Sequence, residues 1–473
     1  MVDFEGSLSL TPKEGQTLTV QATLNVNGTN TLNIGSLTGT IALATGAKLS
    51  NSAVYGGAIS IANGNSVTFT GTNTFTSVSN SGTINLGTTD AAATLNATGI
   101  TGGVICAAND LTFVGANTLT GVVLSATADE KTVKVANDSS LTVTNTTFTA
   151  GSVVVSAATT DPEASAGTLS VGGTSTLTIG SLDGTITLLD DTTLTNSTVY
   201  GGVISVAGSN DDVIFSGANT FTSVSNSGSI SVTGTLNATG GIENADSGEI
   251  TIRVDSQVTA NITGGKVILT SEGVSPLGSG MITVVNGTIG DDVTIYDADG
   301  YELHDGSLAC TIGTGATATK YYLATLPDAN GKKTGIFLTT QDRNIMYVNT
   351  DYSQGQAGGH IYDYNAYNAL NNAAIEAAQA DAELVVENGA FGSDGSVIEL
   401  QFADSVLQKE DNATISFSKA VYSGAKVTVA DNVIAGNTVN IETGTFQKFF
   451  VGGSNIEMNT STTKYFINAT LCR

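Results

Sequence analysis

Tryptophan is absent from the 473-residue chain, proline occurs four times, cysteine three times and histidine twice. Each scarcity closes a route. Cys106, Cys310 and Cys472 are odd in number and far apart, so they spell neither a disulfide framework nor a zinc-ligand spacing. With no Trp and no cysteine pair, nothing marks an immunoglobulin-type core. Charged residues make up 12% of the chain, about half of the roughly 25% usual in soluble domains. Only 16 are Lys or Arg against 42 Asp or Glu, for a net charge of −26. Before Arg253 the sole cations are Lys13, Lys48, Lys131 and Lys134. A nucleic-acid binder needs clustered cations to displace counterions, so that class is excluded, and an anionic membrane surface would repel the chain. No run of about twenty apolar residues is present to cross a bilayer as a helix. The first residues, Met1-Val-Asp-Phe-Glu-Gly6, lack the basic and apolar regions of a signal peptide. Together with the abrupt stop after Thr470-Leu-Cys-Arg473, this reads as a piece of a longer protein whose targeting and anchoring parts lie outside it.

What is plentiful is glycine, 56 residues, with Thr, Ser and Asn, and among them an even scatter of Val, Ile and Leu. Hydrophobic residues are 40% of the total, too many for a disordered chain. β-branched residues suit strands, and Gly and Asn suit turns. The composition therefore predicts an all-β protein with many tight turns.

An internal duplication dominates the first half. Residues 31–62, TLNIGSLTGTIALATGAKLSNSAVYGGAISIA, match residues 176–207, TLTIGSLDGTITLLDDTTLTNSTVYGGVISVA, at more than half of their positions. Residues 68–84 then match 214–230, and both copies go on to TLNATG, so the duplicated blocks are about 23–99 and 168–240. Within each copy, short segments alternate apolar and polar, as in Thr40-Ile-Ala-Leu43, Ala58-Ile-Ser-Ile61 and Ser66-Val-Thr-Phe69. Period-two alternation puts aliphatics on one face and Ser, Thr and Asn on the other. Such spacing fits a sandwich array or a β-solenoid. Chain-long periodicity without linkers, scarce proline, Thr and Asn suited to ladders between coils, and an aliphatic core favour the solenoid.

The phrase Gly71-Thr-Asn-Thr-Phe-Thr76 followed by Gly82-Thr-Ile-Asn-Leu-Gly87 resembles the autotransporter-associated β-strand repeat. Gly217-Ala-Asn-Thr-Phe-Thr222 with Gly228-Ser-Ile-Ser-Val232 repeats it, and Gly115-Ala-Asn-Thr-Leu-Thr120 is a decayed copy. Gly56-Gly-Ala-Ile59 and Gly201-Gly-Val-Ile204 are similar to phrases of polymorphic outer-membrane passengers, although the Phe–Asn spacing that follows is one residue longer here. The resemblance covers about residues 20–250. It implies an elongated right-handed parallel β-helix, exported and displayed at the surface of a Gram-negative bacterium. The C-terminal transporter barrel of that family has no counterpart in the sequence.

From about residue 250 the repeat fades and charges and aromatics increase. The texture changes at Gln341-Asp-Arg-Asn-Ile-Met-Tyr-Val348. One short capping helix is predicted near 365–380, with Tyr367, Leu370, Ala374 and Ala377 on one face and Asp363 or Asn365 as N-cap. Strands are expected to resume at Glu383-Leu-Val-Val386, 395–401, 414–417 and 438–441. The domain reading is thus a repetitive β-solenoid over 1–340 and a second, truncated solenoid over 341–473.

Candidate sites are few. Asp297, Asp299 and Glu302, in Asp297-Ala-Asp-Gly-Tyr-Glu302, have the close carboxylate spacing that Ca²⁺ requires; a hairpin turn with Gly300 in the left-handed conformation accounts for the same residues. The acidic pairs Asp190-Asp191, Asp211-Asp212 and Asp291-Asp292 read as solvated turns beside strands. His304 and His360 are the only candidate bases for a hydrolytic triad, and no nucleophile-elbow phrase accompanies them. Tyr321, Tyr322, Tyr347, Tyr352, Tyr362, Tyr364 and Tyr367 would either face a carbohydrate or pack the end of the second solenoid. A β-helix lyase needs a basic proton acceptor and a hydrolase two facing carboxylates; cations are sparse and the acids cannot be paired from the sequence. Thr-x-Thr phrases suggest an ice-binding face, but coil length varies too much for a regular array. The expected function is a non-catalytic adhesin or structural passenger at the bacterial outer-membrane surface. It would bind a host or neighbouring-cell surface or glycan through many turns, with no cofactor beyond a possible Ca²⁺ and neither nucleic acid nor membrane insertion. The alternatives are a polysaccharide-active lyase or hydrolase and a self-assembling phage or S-layer component.

Overall fold

The computed structural model describes all residues except 1, 5–8, 11–12, 14–15, 127–130, 159–163, 208–211, 279, 328–331, 355, 381, 392–397, 401–402, 410–412, 416–419, 423–425, 430–438, 441–448, 451–455 and 458–473. The chain is a parallel β-solenoid of about 16 turns, 62% strand and 3% helix. It divides into two compact units, 1–274 with 284–302, and 275–283 with 303–473.

In the first unit each coil contributes three strands, and each strand hydrogen-bonds to its counterparts in the coils before and after. Val104–Ala107, Leu111–Phe113 and Ala116–Thr120 form one such coil. They pair in parallel with Val123–Ala126, Thr132–Val135 and Ser140–Thr144 of the next. Alternation does the rest. Val67, Ile84, Ile105, Leu124, Phe148 and Leu177 stand in one continuous column, and all are buried. Each such side chain gains about 1.5–3 kcal/mol from leaving water, and polar neighbours at the alternate positions point outward. The duplication is structural as well as sequential. The strands Thr29–Leu43 and Thr174–Leu188 have nearly the same alternation of buried and exposed residues, and Phe69–Phe75 and Phe215–Phe221 form equivalent tilted ring pairs.

The repeated Gly-x-Asn-Thr phrase is a corner device. Asn51, Asn145 and Asn196 take left-handed conformations, with φ of 48°, 52° and 50°. Their Oδ1 atoms accept from the backbone of the next coil at Thr72 (3.0 Å), Thr174 (2.9 Å) and Ala218 (2.9 Å). Gly71 and Gly217 pass directly over two of these amides, where a Cβ would come within 2.2 and 2.4 Å of Oδ1. Two residues on, the buried Asn73 and Asn219 each tie two coils. Oδ1 accepts from the backbone N–H of Ser52 (3.1 Å) and Ser197 (3.0 Å), while Nδ2 donates to the carbonyls of Thr70 (2.9 Å) and Ser216 (2.8 Å). Asn117 in the decayed copy does the same between Ala97 and Val114. A second corner carries Asn226, which donates to Asn244 at 2.8 Å. Buried amides that satisfy the backbone of two coils at once keep these polar corners from being a cost.

The second unit starts differently. Leu308–Ile312, Thr319–Ala324 and Gly335–Thr339 run antiparallel. Parallel pairing then begins at Ile345–Asn349 and continues through Glu383–Phe391, Ala403–Lys409, Lys426–Val429 and Phe449–Phe450. The helix occupies Leu370–Ala380, later than the start expected near 365. Ala366–Tyr367 is instead a short strand paired with Tyr347 and Val348. Neither proposed N-cap serves: Asp363 sits in a left-handed turn with its N–H bonded to the Ala366 carbonyl, and Asn365 Oδ1 accepts from the Ile361 N–H. Leu370, Ala373, Ala374 and Ala377 are buried where the helix packs on Ile345–Asn349 and Glu383–Phe391. The strands expected over 395–401, 414–417 and 438–441 fall partly outside the described residues; the described parts are Ile398–Leu400, Ala413–Ile415 and Val439–Asn440.

Candidate functional site

The predicted calcium phrase folds as a turn closed by its own first carboxylate. Asp297 Oδ1 accepts from the backbone N–H of Asp299 (3.0 Å) and Tyr301 (2.8 Å). Gly300 is left-handed at φ 85°, and Glu302 bridges back to Tyr296. Asp297, Asp299 and Glu302 are therefore near in sequence but not convergent, and among the described residues no three His, Cys, Asp or Glu gather to hold a metal. Asp190 and Asp191 lie in an exposed turn, as do Asp291 and Asp292. Asp212 accepts from the Ser229 hydroxyl at 2.8 Å; its neighbour Asp211 and Cys472 lie outside the described residues.

The richest polar geometry is in the second unit, around a cleft of about 390 Å³ lined by Gln341, Asp342, Tyr347, His360 and Asn365 among others. His360, one of the two candidate bases, stacks on Tyr347 with ring centroids 3.7 Å apart. Its Nε2 lies 3.5 Å from Glu387 Oε1, and the Tyr352 hydroxyl donates to the other oxygen of Glu387. An amide chain holds the facing wall: Gln341 Nε2 donates to the Gly359 carbonyl at 2.8 Å, and Asn365 Nδ2 donates to Gln341 Oε1 at 3.0 Å. Burial, reinforced by the Glu387 carboxylate, raises the Tyr347 phenol above its ordinary pKa. The cleft is thus a wall of stacked rings and hydrogen-bonded amides, with the imidazole lying near the Glu387 carboxylate. The other histidine, His304, is exposed and donates its backbone N–H to the Ser307 hydroxyl oxygen at 2.9 Å.

Beside it stands Arg343. Its Nη2 donates to Glu376 Oε2 at 2.6 Å and to the Tyr367 hydroxyl at 3.2 Å, and its guanidinium lies 5.4 Å from the Tyr364 ring centre. The Tyr367 hydroxyl in turn donates to the Tyr364 carbonyl. Burial drives both phenols well above the ordinary tyrosine range, against the pull of Arg343. Tyr321 is buried too and donates to the Leu277 carbonyl at 2.7 Å. The tyrosine cluster thus packs mainly inward, as the packing reading of the sequence had it.

Sequence reasoning missed two things. Glu387, which organises Tyr352 and His360, carries no local signal; only the strand pairing of Glu383–Phe391 with Ile345–Asn349 brings it there. Tyr55 and Tyr200 are exposed aromatics on the first unit, and their signal was present in the Val-Tyr-Gly-Gly phrase that both copies keep. No protein-family model, curated protein or solved structure matches the chain. A functional reading therefore rests on its own residues.

Proposed function

We propose that this chain is a non-catalytic passenger of adhesin type, displayed extracellularly at a bacterial outer-membrane surface and related to autotransporter passengers. The observation that carries the reading is the coil stack itself. Its interior is filled by aliphatic columns, and its exterior repeats Thr, Ser and Asn on successive coils. A long scaffold of that kind presents many similar shallow surfaces, and multivalent contact yields avidity from individually modest sites. The net charge of −26 keeps such a surface soluble and disfavours anionic polymers as ligands. The Gly-x-Asn-Thr corners, which resemble the autotransporter-associated repeat, support the surface-passenger assignment. The test is binding of the purified full chain, fluorescently labelled, to intact epithelial and bacterial cells. Saturable binding is expected. Absence of binding to every cell type, together with turnover of a polysaccharide by the same preparation, would replace the adhesin reading with the enzyme one.

A further inference from the structure

Before Tyr296 the sequence holds only two tyrosines, Tyr55 and Tyr200. They occupy equivalent positions in the duplicated blocks, and they are 49% and 51% exposed. The phenylalanines of the same unit behave oppositely: Phe69, Phe75, Phe113, Phe148, Phe215 and Phe221 are all buried. Within the duplicated blocks aromatic bulk goes inside except at this one repeated place, where the ring carries a hydroxyl; in the same unit Tyr301, outside the blocks, is also exposed, at 71%.

The surroundings of the two rings match. Each tyrosine precedes a pair of left-handed glycines, Gly56-Gly57 with φ of 70° and 52°, and Gly201-Gly202 with φ of 75° and 52°. A Cβ on Gly57 or Gly202 would meet backbone oxygen at 2.6 or 2.4 Å, so the bare backbone is obligatory. On the preceding coil, pairing of Ile34 with Val54 and Leu37 with Gly56 sets Gly35-Ser36 beside Tyr55. Pairing of Ile179 with Val199 and Leu182 with Gly201 sets Gly180-Ser181 beside Tyr200. On the following coil the Thr76 and Thr222 hydroxyls accept from the N–H of Gly56 (3.1 Å) and Gly201 (2.7 Å). On the adjoining coils each ring is therefore flanked by glycine and small hydroxyl residues.

We infer that Tyr55 and Tyr200 are twin subsites for the pyranose rings of a neutral polysaccharide. A phenol offers an apolar face and a polar tip, matching the C–H face and hydroxyl rim of a sugar, and both rings are about half exposed. The charge of the chain selects a neutral polymer over an anionic one. The two sites are about seven coils apart along the stack, roughly 34 Å at about 4.8 Å per coil, and the strand register sets Tyr200 over Ser50, across the Asn51 corner from Tyr55, so each site is a separate contact. The inference rests on the surface-binding reading and names its ligand class.

The test uses the full chain in native gels cast with a neutral α-glucan, mannan or galactan, beside Tyr55→Ala, Tyr200→Ala, the double variant and Tyr55→Phe/Tyr200→Phe. At least one of these polymers retards the wild type. Each single Ala variant removes one of two separate contacts and loses about twofold of polymer affinity. The double Ala variant loses retardation, and the double Phe variant keeps most of it. All variants melt as the wild type does, because the rings are half exposed. No retardation by any of the three polymers, or retardation that survives in the double Ala variant, overturns the inference. So does a change in sedimentation confined to the double Ala variant, which would make a second copy of the chain the occupant. Cell binding separates the two readings: if the wild type and the double Ala variant bind cells equally, the tyrosine subsites fall and the adhesin reading stands; if the wild type binds no cell, the adhesin reading falls.

Discussion

Replacing Asn73 by alanine removes two hydrogen bonds from the interior of the stack without touching its apolar columns. Asn73 is 1% exposed, as is Ser52 beside it. The substitution deprives the Thr70 carbonyl of its amide donor and leaves the Ser52 N–H, bonded at 3.1 Å in the native chain, with no acceptor. The orphaned buried donor costs about 1–3 kcal/mol and loss of the second bond about 0.5–1.5 kcal/mol, so about 2–4 kcal/mol is expected. A chain of two units does not unfold in one step, and in a stacked array the damage stays near the altered coil. The suitable assay is native-state hydrogen exchange on peptides that contain Ser52. Protection there should fall by roughly 30- to 1000-fold, at about 1.4 kcal/mol per tenfold. Asn219→Ala should do the same at Ser197, whose N–H it binds at 3.0 Å, and should leave Ser52 alone. Protection of Ser52 within threefold of the wild type would refute the ladder argument. So would an equal loss across both copies.

Gly57→Ala and Gly202→Ala should each destabilise the first unit by about 2–4 kcal/mol, from the left-handed backbone and the overlap with neighbouring backbone oxygen together; urea unfolding of the first unit measures it, and a loss below 1 kcal/mol contradicts the geometry. In the second unit, burial raises the pKa of Tyr364 and Tyr367. Their contribution to stability is therefore fully present below the unfolded phenol value of about 10, and it is lost as pH rises above that toward the folded values. Absorbance titration at alkaline pH should find these phenols titrating late, and Tyr364→Phe with Tyr367→Phe should remove that late component. Because Asp297 is committed to its own turn, chelation or addition of Ca²⁺ should leave the melting temperature unchanged, whereas Asp297→Ala should lower protection of the Tyr301 amide.

The all-β class, the parallel stack and the duplication were legible because period-two alternation and repeated Gly and Asn phrases are local. Leu43, Ile61 and Phe69 announce their burial by their neighbours, and a repeated corner needs the same residues each time. The helix was legible in kind but not at its start: Tyr367 and Leu370 share a helical spacing, yet pairing with Val348 draws Tyr367 into a strand. The cleft was half legible. His360 and the tyrosines stand out by their rarity, but Glu387 and Arg343 join them only through pairing between segments tens of residues apart. The calcium phrase shows the opposite hazard, since Asp297-Ala-Asp-Gly300 spells a metal loop and a self-bonded turn in the same letters. Tyr55 and Tyr200 were hidden by their context: strand alternation assigns each an outward face, and only the contrast with the buried phenylalanines of the same blocks sets them apart.

Cross-coil bonds in the first unit join residues about 17 to 29 positions apart. Each finished coil is thus the template on which the next is laid, and no strand waits for a distant partner. Loop closure is short and similar at every step, which favours sequential growth over a single global search. A chain delivered from one end can then fold as it arrives, with the leading coils holding what has already emerged. Duplicating a block of coils lengthens such a molecule without posing any new folding problem, and that is the change its sequence records.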